Sequence, residues 1–426
     1  MLSKKVLIIT YYWPPAGGPG VQRWLKFVKY LPENGFAPVV YCPENPNYPI
    51  IDSNITEPLH ENVTVLKRPI LEPYKLAGIF SKKGTNRISS GIITDSKKQS
   101  IIERLLLYVR GNFFIPDARK YWVKPSVKFL ESYIKDHKIE TVVTTGPPHS
   151  MHLIGLELKK RCDIKWLTDF RDPWTTIGYH SKLKLTKQSI QKHKALEQDV
   201  LRSTDQVIVT SQNTKKAFQQ LTSKPIAVIT NGYDTQTVSN SKRKSNYTIA
   251  HIGSLLSGRN PENLWKAIMW LLDENPELKS NFNLDFYGVV SDSVLESIYA
   301  SGLEPYVCLK GYVDHDKAVL AQKESHLLLL IEIDSEETKV IIPGKLFEYM
   351  ISNTPILAVG PQDSDVENIV ISTNTGRYCD YEALEAMKLT LEYNYQQYKL
   401  GVIKTAPIGL NKFSRSALTK ELTKYL

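Results

Sequence analysis

Short runs of β-branched and aliphatic residues alternate with helical patterns along both halves of this 426-residue chain, and this alternation constrains the fold most. Short apolar strands separated by helices are typical of parallel sheets that helices cover on both faces. We therefore predict an α/β fold. The predicted strands are residues 5–10, 38–42, 141–144, 165–168, 206–210 and 226–230 in the first half, and 248–253, 284–288, 307–311, 326–331 and 355–359 in the second.

The chain is too long for one ordinary hydrophobic core, so we predict two doubly wound, Rossmann-like domains. The first spans residues 1–234 and the second 248–405, with a polar and basic linker at 235–247. Residues 78–100 are rich in Lys, Ser and Gly and lack periodicity, which predicts a mobile excursion from the first domain. Since open α/β sheets bind ligands beyond the carboxyl ends of their strands, we expect the site in a cleft between the two domains.

Composition excludes several classes of protein. No apolar run reaches the roughly 20 residues that span a bilayer, and the first run lacks the features of a signal peptide, so we expect a cytoplasmic protein. Four cysteines lie far apart and nine histidines are scattered, so we expect neither a disulfide framework nor a metal. The net charge of +10 indicates either a lysine-rich solvated surface or attraction to anionic partners. No basic stripe interleaved with aromatics is present, so we expect no nucleic acid as a partner.

A glycine-rich loop follows the first strand, at residues 14–20. Glycine lets the backbone turn tightly and approach a ligand, and the N-terminus of the following helix favours an anion. The third glycine of a dinucleotide fingerprint is absent, which disfavours a nicotinamide site. The loop either contacts a ligand or needs positive φ angles for its own turn.

Polar and aromatic residues follow two other strands of the first half. His149 comes after the rigid Gly-Pro-Pro turn at 146–148. Asp169, Arg171, Asp172 and Trp174 come directly after residues 165–168. Carboxylates beside a guanidinium form either a buried ion pair or a site that orients a hydroxyl-rich acceptor. His149 is either a hydrogen-bonded structural residue or part of that site, and Trp174 offers an apolar face to a sugar ring.

In the second half, a loop at 253–261 precedes a helix and carries Arg259, and a Pro-Gly step opens a helix that carries Lys345 and Glu348. A glycine-bearing loop at a helix start binds phosphate through amide groups, and arginine adds a bidentate contact. A carboxylate accepts both hydroxyls of a ribose. The alternatives are a surface arginine and an ordinary i,i+3 salt bridge between Lys345 and Glu348.

The order of these motifs resembles that of family four of the retaining GT-B glycosyltransferases, over nearly the whole chain. The resemblance rests on the early glycine loop, Glu197 with residues 205–211, the Asn231-Gly232 turn, the Gly253 loop, and residues 345–348 with 354–356. Residues 406–426 resemble the last helix of the family, which crosses back onto the first domain. The sequence departs from the pattern in two ways: Val340 replaces the first of two glutamates, and Ser254 and Arg259 replace the usual Arg and Lys of the donor loop.

The resemblance implies a metal-independent, retaining hexosyltransferase that uses a UDP- or GDP-linked sugar and a glycan or lipid-linked acceptor in bacterial polysaccharide synthesis. Arg259 and Lys345 would hold the diphosphate and Glu348 the ribose, and these three would carry catalysis. The implied donor-binding residues also include Gly18, Gly253, Ser254, Tyr312, Val313 and Leu346. The implied acceptor-side residues are Gln22, Arg23, His149, Asp169, Arg171, Asp172 and Trp174.

Two alternatives to a transferase stay open: a nucleotide-sugar epimerase of the same fold, and a catalytically silent sugar-nucleotide-binding protein, which Val340 motivates. Residues 101–110 combine apolar and basic side chains. They form either a buried domain helix or an interfacial helix that reaches an anionic membrane.

Overall fold

The computed structural model describes residues 4–52, 55, 59–72, 101–176, 183–234 and 241–426. The chain forms two compact units: residues 1–230 with 415–426, and residues 231–414. The unit boundaries thus lie at 230 and 415, against predicted boundaries at 234 and 406. The excursion predicted at 78–100 and residues 235–240 of the predicted linker lie outside the described residues.

The first unit contains a seven-stranded parallel sheet with the strand order β3-β2-β1-β4-β5-β6-β7. Successive side chains of a strand point to opposite faces. In β1, Leu7 and Ile9 enter one apolar cluster while Val6 and Ile8 enter another, so both faces of the sheet are buried. The strands are β1 (Lys4–Ile9), β2 (Phe36–Pro43), β3 (Thr64–Arg68), β4 (Thr141–Gly146), β5 (Lys165–Phe170), β6 (Gln206–Val209) and β7 (Ile226–Val228).

Helices cover both faces of this sheet. Two of them begin at residues whose side chains cap the helix: Thr186 accepts a hydrogen bond from the Ser189 amide, and Ser211 accepts one from Thr214. The described helices of this unit are α1 (Pro19–Tyr30), α2 (Ile101–Phe113), α3 (Val123–His137), α4 (Ser150–Arg161), α5 (Lys187–Ser203), α6 (Gln212–Gln219) and α13 (Arg415–Thr423).

The second unit contains a six-stranded parallel sheet with the order β10-β9-β8-β11-β12-β13. After β8 the chain adds β9 and β10 on one side and then continues at β11 on the other, so β8 and β11 flank the point where the strand order reverses. Its strands are β8 (Tyr247–Ile252), β9 (Phe282–Tyr287), β10 (Val307–Gly311), β11 (Leu327–Ile331), β12 (Ile356–Val359) and β13 (Gly376–Cys379). Its helices are α7 (Glu262–Glu274), α8 (Asp292–Ala300), α9 (His315–Glu324), α10 (Gly344–Ile351), α11 (Asp365–Ser372) and α12 (Leu384–Lys399).

The predicted α/β class is confirmed, and each predicted strand overlaps a strand of the structure. Two strands were not predicted. Strand β3 lies at the edge of its sheet and is largely exposed, and β13 lies at the edge of the other sheet. Both lack the buried apolar run that marks a central strand. Within the residues that the structure describes, no helix is long and apolar enough to cross a membrane.

Candidate functional site

Three neighbouring strands of the second unit end at glycines with positive φ: 117° at Gly253, 116° at Gly288 and 65° at Gly311. The amide of Gly253 donates to the carbonyl of Tyr287, and the amide of Gly288 donates to the carbonyl of Gly311. A Cβ atom at Gly288 would lie 2.9 Å from the carbonyl carbon of Gly253, so only glycine fits there. The loop after β8 therefore lies backbone against backbone on the loop after β9.

Lys345 lies in the first turn of α10 and points back to the end of β8. Its Nζ donates to the carbonyl oxygen of Ile252 at 3.0 Å and contacts Nε2 of His251 at 3.2 Å. A Cβ atom at Gly253 would lie 3.2 Å from the same Nζ. The lysine amine is thus held at the carboxyl end of β8, beside the glycine loop.

Arg259 lies six residues after Gly253 in this loop, just ahead of α7, and is half-buried. Burial and the neighbouring Arg259 guanidinium lower the pKa of Lys345 to about 7. Burial also lowers the pKa of Arg259, while Tyr381 and Glu332 act in the opposite direction. Two half-buried cations therefore repel each other at one edge of the sheet, and an anion bound between them would relieve that repulsion.

Glu332 is a site residue that sequence reasoning missed. It follows β11 directly and is 4% exposed. Its Oε2 accepts hydrogen bonds from Tyr378 at 2.8 Å and Ser364 at 3.1 Å, while Oε1 has no hydrogen-bond partner among the described residues. Burial, which the Arg259 charge opposes, raises the pKa of Glu332 to about 7. One signal was present in the sequence: an acidic residue directly after five apolar residues.

Glu348 lies one turn after Lys345 on α10 and is half-buried. Its Oε2 accepts a hydrogen bond from Gln322 at 3.2 Å. No ion pair joins Lys345 and Glu348 in the described part of the chain, so the simple i,i+3 salt bridge is not formed. The side chain is held by an amide rather than by a charge and keeps acceptor capacity for a hydroxyl group.

The other implied donor residues differ in how exposed their side chains are. Ser254 is exposed on the glycine loop, and Tyr312 is 89% exposed after β10, next to the half-buried Val313. Leu346 is fully buried in the apolar cluster around α10, so its side chain is not open to a ligand. Val340 is half-buried ahead of α10.

In the first unit, Asp169 forms a buried ion pair with Arg23. The Asp169 carboxylate accepts from Nε and Nη2 of Arg23, from the Trp24 indole at 2.7 Å and from Thr145 at 2.8 Å. These contacts lower the pKa of Asp169 against the effect of burial. Asp169 is fully buried and Arg23 is 2% exposed. The sequence left open an ion pair within residues 169–172, whereas the structure pairs Asp169 with Arg23, a partner outside that segment. Neither side chain of this pair is accessible to an acceptor.

Arg171 connects the early glycine-rich loop, residues 14–20, to the Gly-Pro-Pro turn at residues 146–148. Its guanidinium donates to the carbonyl oxygens of Gly20, Gly146 and Pro147. A Cβ atom at Gly20 would lie 2.9 Å from Nη1 of Arg171, so a larger residue there would displace the guanidinium. Arg171 therefore fixes two loops at the carboxyl edge of the sheet.

Trp174 is 1% exposed and stacks on the imidazole of His149 with ring centroids 4.7 Å apart. Its amide and its indole donate to Glu197 and His193. The expectation that Trp174 offers a face to a sugar ring is therefore wrong for this conformation, because His149, itself 4% exposed, lies against that ring. Both residues build the interior of the first unit.

Three more predicted residues lie at this edge. Asp172 is half-buried, and burial raises its pKa, against the effect of Arg171. The carbonyl of Gln22 accepts a hydrogen bond from Arg415. Gly18 has φ of 86°, so the glycine loop does need a positive φ there. Apart from Gly18, the predicted donor residues all belong to the second unit, and the acceptor residues all belong to the first.

Several solved structures, at 10–13% sequence identity, share the fold of this chain. A sucrose-phosphate synthase from Thermosynechococcus elongatus matches with a TM-score of 0.62 at 12% identity, covering 99% of this chain and 98% of that one. A glycosyltransferase from Rickettsia africae matches with 0.61 at 13% identity, covering 99% and 98%. S. aureus TarM, solved with UDP, matches with 0.57 at 12% identity, covering 99% of each chain. The chain therefore has the GT-B fold: two Rossmann-like α/β domains.

The sequence comparison is narrower. Residues 86–237 match the family model of Glycosyltransferase Family 4. None of the curated protein sequences compared with this chain matches it.

Proposed function

We propose that this protein is a retaining glycosyltransferase that moves a sugar from a UDP- or GDP-linked donor to a hydroxyl of a glycan or lipid-linked acceptor in bacterial polysaccharide or glycoconjugate synthesis. One observation carries the proposal: Arg259 and Lys345 lie close enough to perturb each other and are half-buried. Within the described residues, neither forms an ion pair. Two like charges at a half-buried site repel each other, and a diphosphate supplies two negative charges that would offset them.

The same two cations give the site its chemistry. The leaving diphosphate gathers negative charge as the glycosidic bond breaks, and fixed cations stabilise that charge most strongly at the transition state. Glu348, held by Gln322, is proposed to accept the ribose hydroxyls. We propose front-face attack without a metal, in which the donor phosphate helps to deprotonate the acceptor hydroxyl. This route needs no protein nucleophile.

On the acceptor side, the burial of Asp169, Arg23 and Trp174 changes the proposal. These residues support the edge of the sheet rather than contact the acceptor. Asp172 and Gly18 are half-buried at that edge and are the proposed acceptor contacts.

The test begins with a thermal-shift screen of nucleotide sugars, since a ligand that binds the folded state raises the melting temperature. The sugar that binds is then used as donor against pools of hydroxyl acceptors. Arg259→Ala and Glu348→Ala should each lower transfer by roughly 100-fold while the melting temperature stays near that of the wild type. Arg377→Ala, at an exposed arginine of the same unit, is the control and should keep full activity.

Near-normal transfer by Arg259→Ala and Glu348→Ala would contradict the donor site. Turnover of the donor alone would indicate an epimerase instead. Saturable binding without transfer to any acceptor would indicate a silent binding protein.

We also propose peripheral contact with an anionic membrane through α2. Leu107 on this helix is buried, whereas Leu105 and Tyr108 are 61% and 41% exposed beside the exposed Arg104. Exposed apolar residues next to a cation favour an interfacial position. The protein should float with vesicles that contain phosphatidylglycerol and less with pure phosphatidylcholine, and Leu105→Ser should weaken flotation. Absence of flotation with the anionic vesicles would remove this part of the proposal.

A further inference from the structure

The hydrogen bonds of Lys345 determine how many N–H groups its amine needs when a further acceptor arrives. A neutral amine carries two N–H groups, and an ammonium carries three. Two acceptors contact Nζ in this structure: Nε2 of His251 at 3.2 Å and the carbonyl oxygen of Ile252 at 3.0 Å. Together they use both N–H groups of a neutral amine. A phosphate oxygen at this amine therefore requires a third N–H, which only the protonated form has.

His251 determines the direction of one of these bonds. It is fully buried in β8, and its Nδ1 lies 3.1 Å from the carbonyl oxygen of Leu329. A carbonyl oxygen only accepts, so Nδ1 carries the hydrogen, and Nε2 of the neutral ring is left as an acceptor. Burial, together with the charge of Lys345, lowers the pKa of His251 well below its usual value. The ring therefore stays neutral and holds the lysine amine.

The charged and titratable groups around Lys345 come from several elements. His251 faces it from β8, Arg259 approaches from the loop after β8, and Glu348 and Tyr349 follow it on α10. Glu332, after β11, acts on the site through Arg259. Burial and Arg259 lower the pKa of Lys345 to about 7, so the free site exchanges this proton near neutrality.

We propose that Lys345 takes up one proton from solvent when a diphosphate binds at Arg259. We further propose that His251 is the positioning residue for the Lys345 amine. The inference rests on the proposed function, because it assumes that a diphosphate binds here. The proton comes from water or buffer, joins the lone pair of Nζ and supplies the third N–H to a phosphate oxygen. No other bond changes.

The sign of the pH dependence follows from the charges. A bound anion raises the pKa of a neighbouring ammonium, so the complex holds more protons than the free protein, and affinity rises as pH falls. With a free pKa of about 7, Kd should increase by roughly tenfold between pH 6 and pH 8. Below pH 6 the dependence should level off, because Lys345 is then protonated before the ligand arrives.

The test is isothermal titration calorimetry of the full chain with UDP-glucose, GDP-mannose, ADP-glucose and dTDP-glucose. The diphosphate diesters of these sugars do not titrate between pH 6 and 8.5, so a pH effect belongs to the protein. Titration at pH 7.5 in Hepes and in Tris should give binding enthalpies that differ by the proton uptake multiplied by the difference between the ionisation enthalpies of the two buffers. Kd is then measured from pH 6 to pH 8.5.

Variants identify the residue that takes up the proton. Lys345→Arg keeps a permanent charge and should remove both the buffer dependence and the pH dependence. Lys266→Met, at an exposed lysine of α7, should change neither. Glu332→Gln should keep the uptake; if it loses the uptake while Lys345→Arg retains it, Glu332 is the group and the assignment to Lys345 is overturned.

His251→Leu removes the acceptor and His251→Gln supplies an amide oxygen in its place. The leucine variant should weaken binding at pH 7 by roughly tenfold and move the midpoint of the pH profile to lower pH, and the glutamine variant should recover most of this loss. Folded variants with unchanged midpoints would overturn the role of His251. Sugar binding with a flat pH profile and no buffer dependence would overturn proton coupling alone. Failure of all four nucleotide sugars to bind would overturn the proposed function together with this inference.

Discussion

The Arg23 guanidinium and the Asp169 carboxylate form an ion pair, with 2.8 Å between Nη2 and Oδ1, inside the first unit. The two residues come from α1 and β5 and are 146 positions apart in the chain. The pair joins α1 to β5, the strand next to the central strand of the sheet. Removal of one partner would leave the other charge buried without compensation.

Asp169→Asn should therefore destabilise the protein by about 3–5 kcal/mol, as is typical of broken buried pairs. Urea unfolding followed by circular dichroism measures the change. The control is Glu131→Gln, which removes the surface contacts of Glu131 with Lys135 at 2.9 Å and with Arg161 at 3.6 Å and should destabilise the protein far less. Equal losses for the two variants would contradict the role given to the buried pair.

Gly288→Ala should destabilise the second unit and weaken nucleotide binding together. An alanine there is strained at a φ of 116°, and its Cβ atom would lie 2.9 Å from the Gly253 backbone. The loop that carries Arg259 must therefore shift. The matched control is Gly401→Ala, at a φ of 68° with no atom within 4 Å of the added Cβ. Gly401→Ala should lower the free energy of unfolding by about 1 kcal/mol, and Gly288→Ala should lower it by clearly more, as measured by thermal unfolding. Similar shifts in the two variants would show that the loops adjust freely.

Glu332→Gln should make the protein more stable at pH 8 than the wild type. The folded-state pKa of about 7 lies above the unfolded value near 4.5, so the folded state holds more protons between these values. The contribution of the Glu332 carboxyl to the free energy of unfolding is fully present below pH 4.5 and is lost as the pH rises through 7. The variant should gain roughly 1–3 kcal/mol at pH 8 and little at pH 5, seen as melting temperatures at both pH values. Glu337→Gln, at an exposed neighbour, should show no such difference.

Leu422→Ala should open the first unit selectively. Leu422 of α13 is fully buried in the cluster that contains Trp24 and Leu25 of α1. A cavity of this kind typically costs 2–5 kcal/mol. Hydrogen exchange measured by mass spectrometry should accelerate in peptides of residues 4–52 and 101–230, while residues 241–414 keep wild-type protection. Lys420→Ala, at an exposed position of the same helix, serves as the control.

Sequence patterns predicted the α/β class and every central strand, because β1 and β11 are buried on both faces and read as continuous apolar runs. Edge strands β3 and β13 have no such run. The role of Asp169 was not readable locally, because its partner lies far away in the chain. Likewise, Glu332 becomes part of a site only because parallel packing brings the end of β11 beside the end of β8. The roles proposed for Arg259, Lys345 and Glu348 stay predictions until a ligand is bound.

The last helix also bears on synthesis at the ribosome. The chain leaves the first unit at Thr230 and returns to it only at Arg415. Until Leu418 and Leu422 emerge, the apolar surface formed by α1 lacks its cover. The second unit, a continuous stretch from Asn231 to Ser414, is translated in full before the first is complete. We therefore expect the second unit to finish folding before the first. Until then, the first unit exposes an apolar face that chaperones can bind.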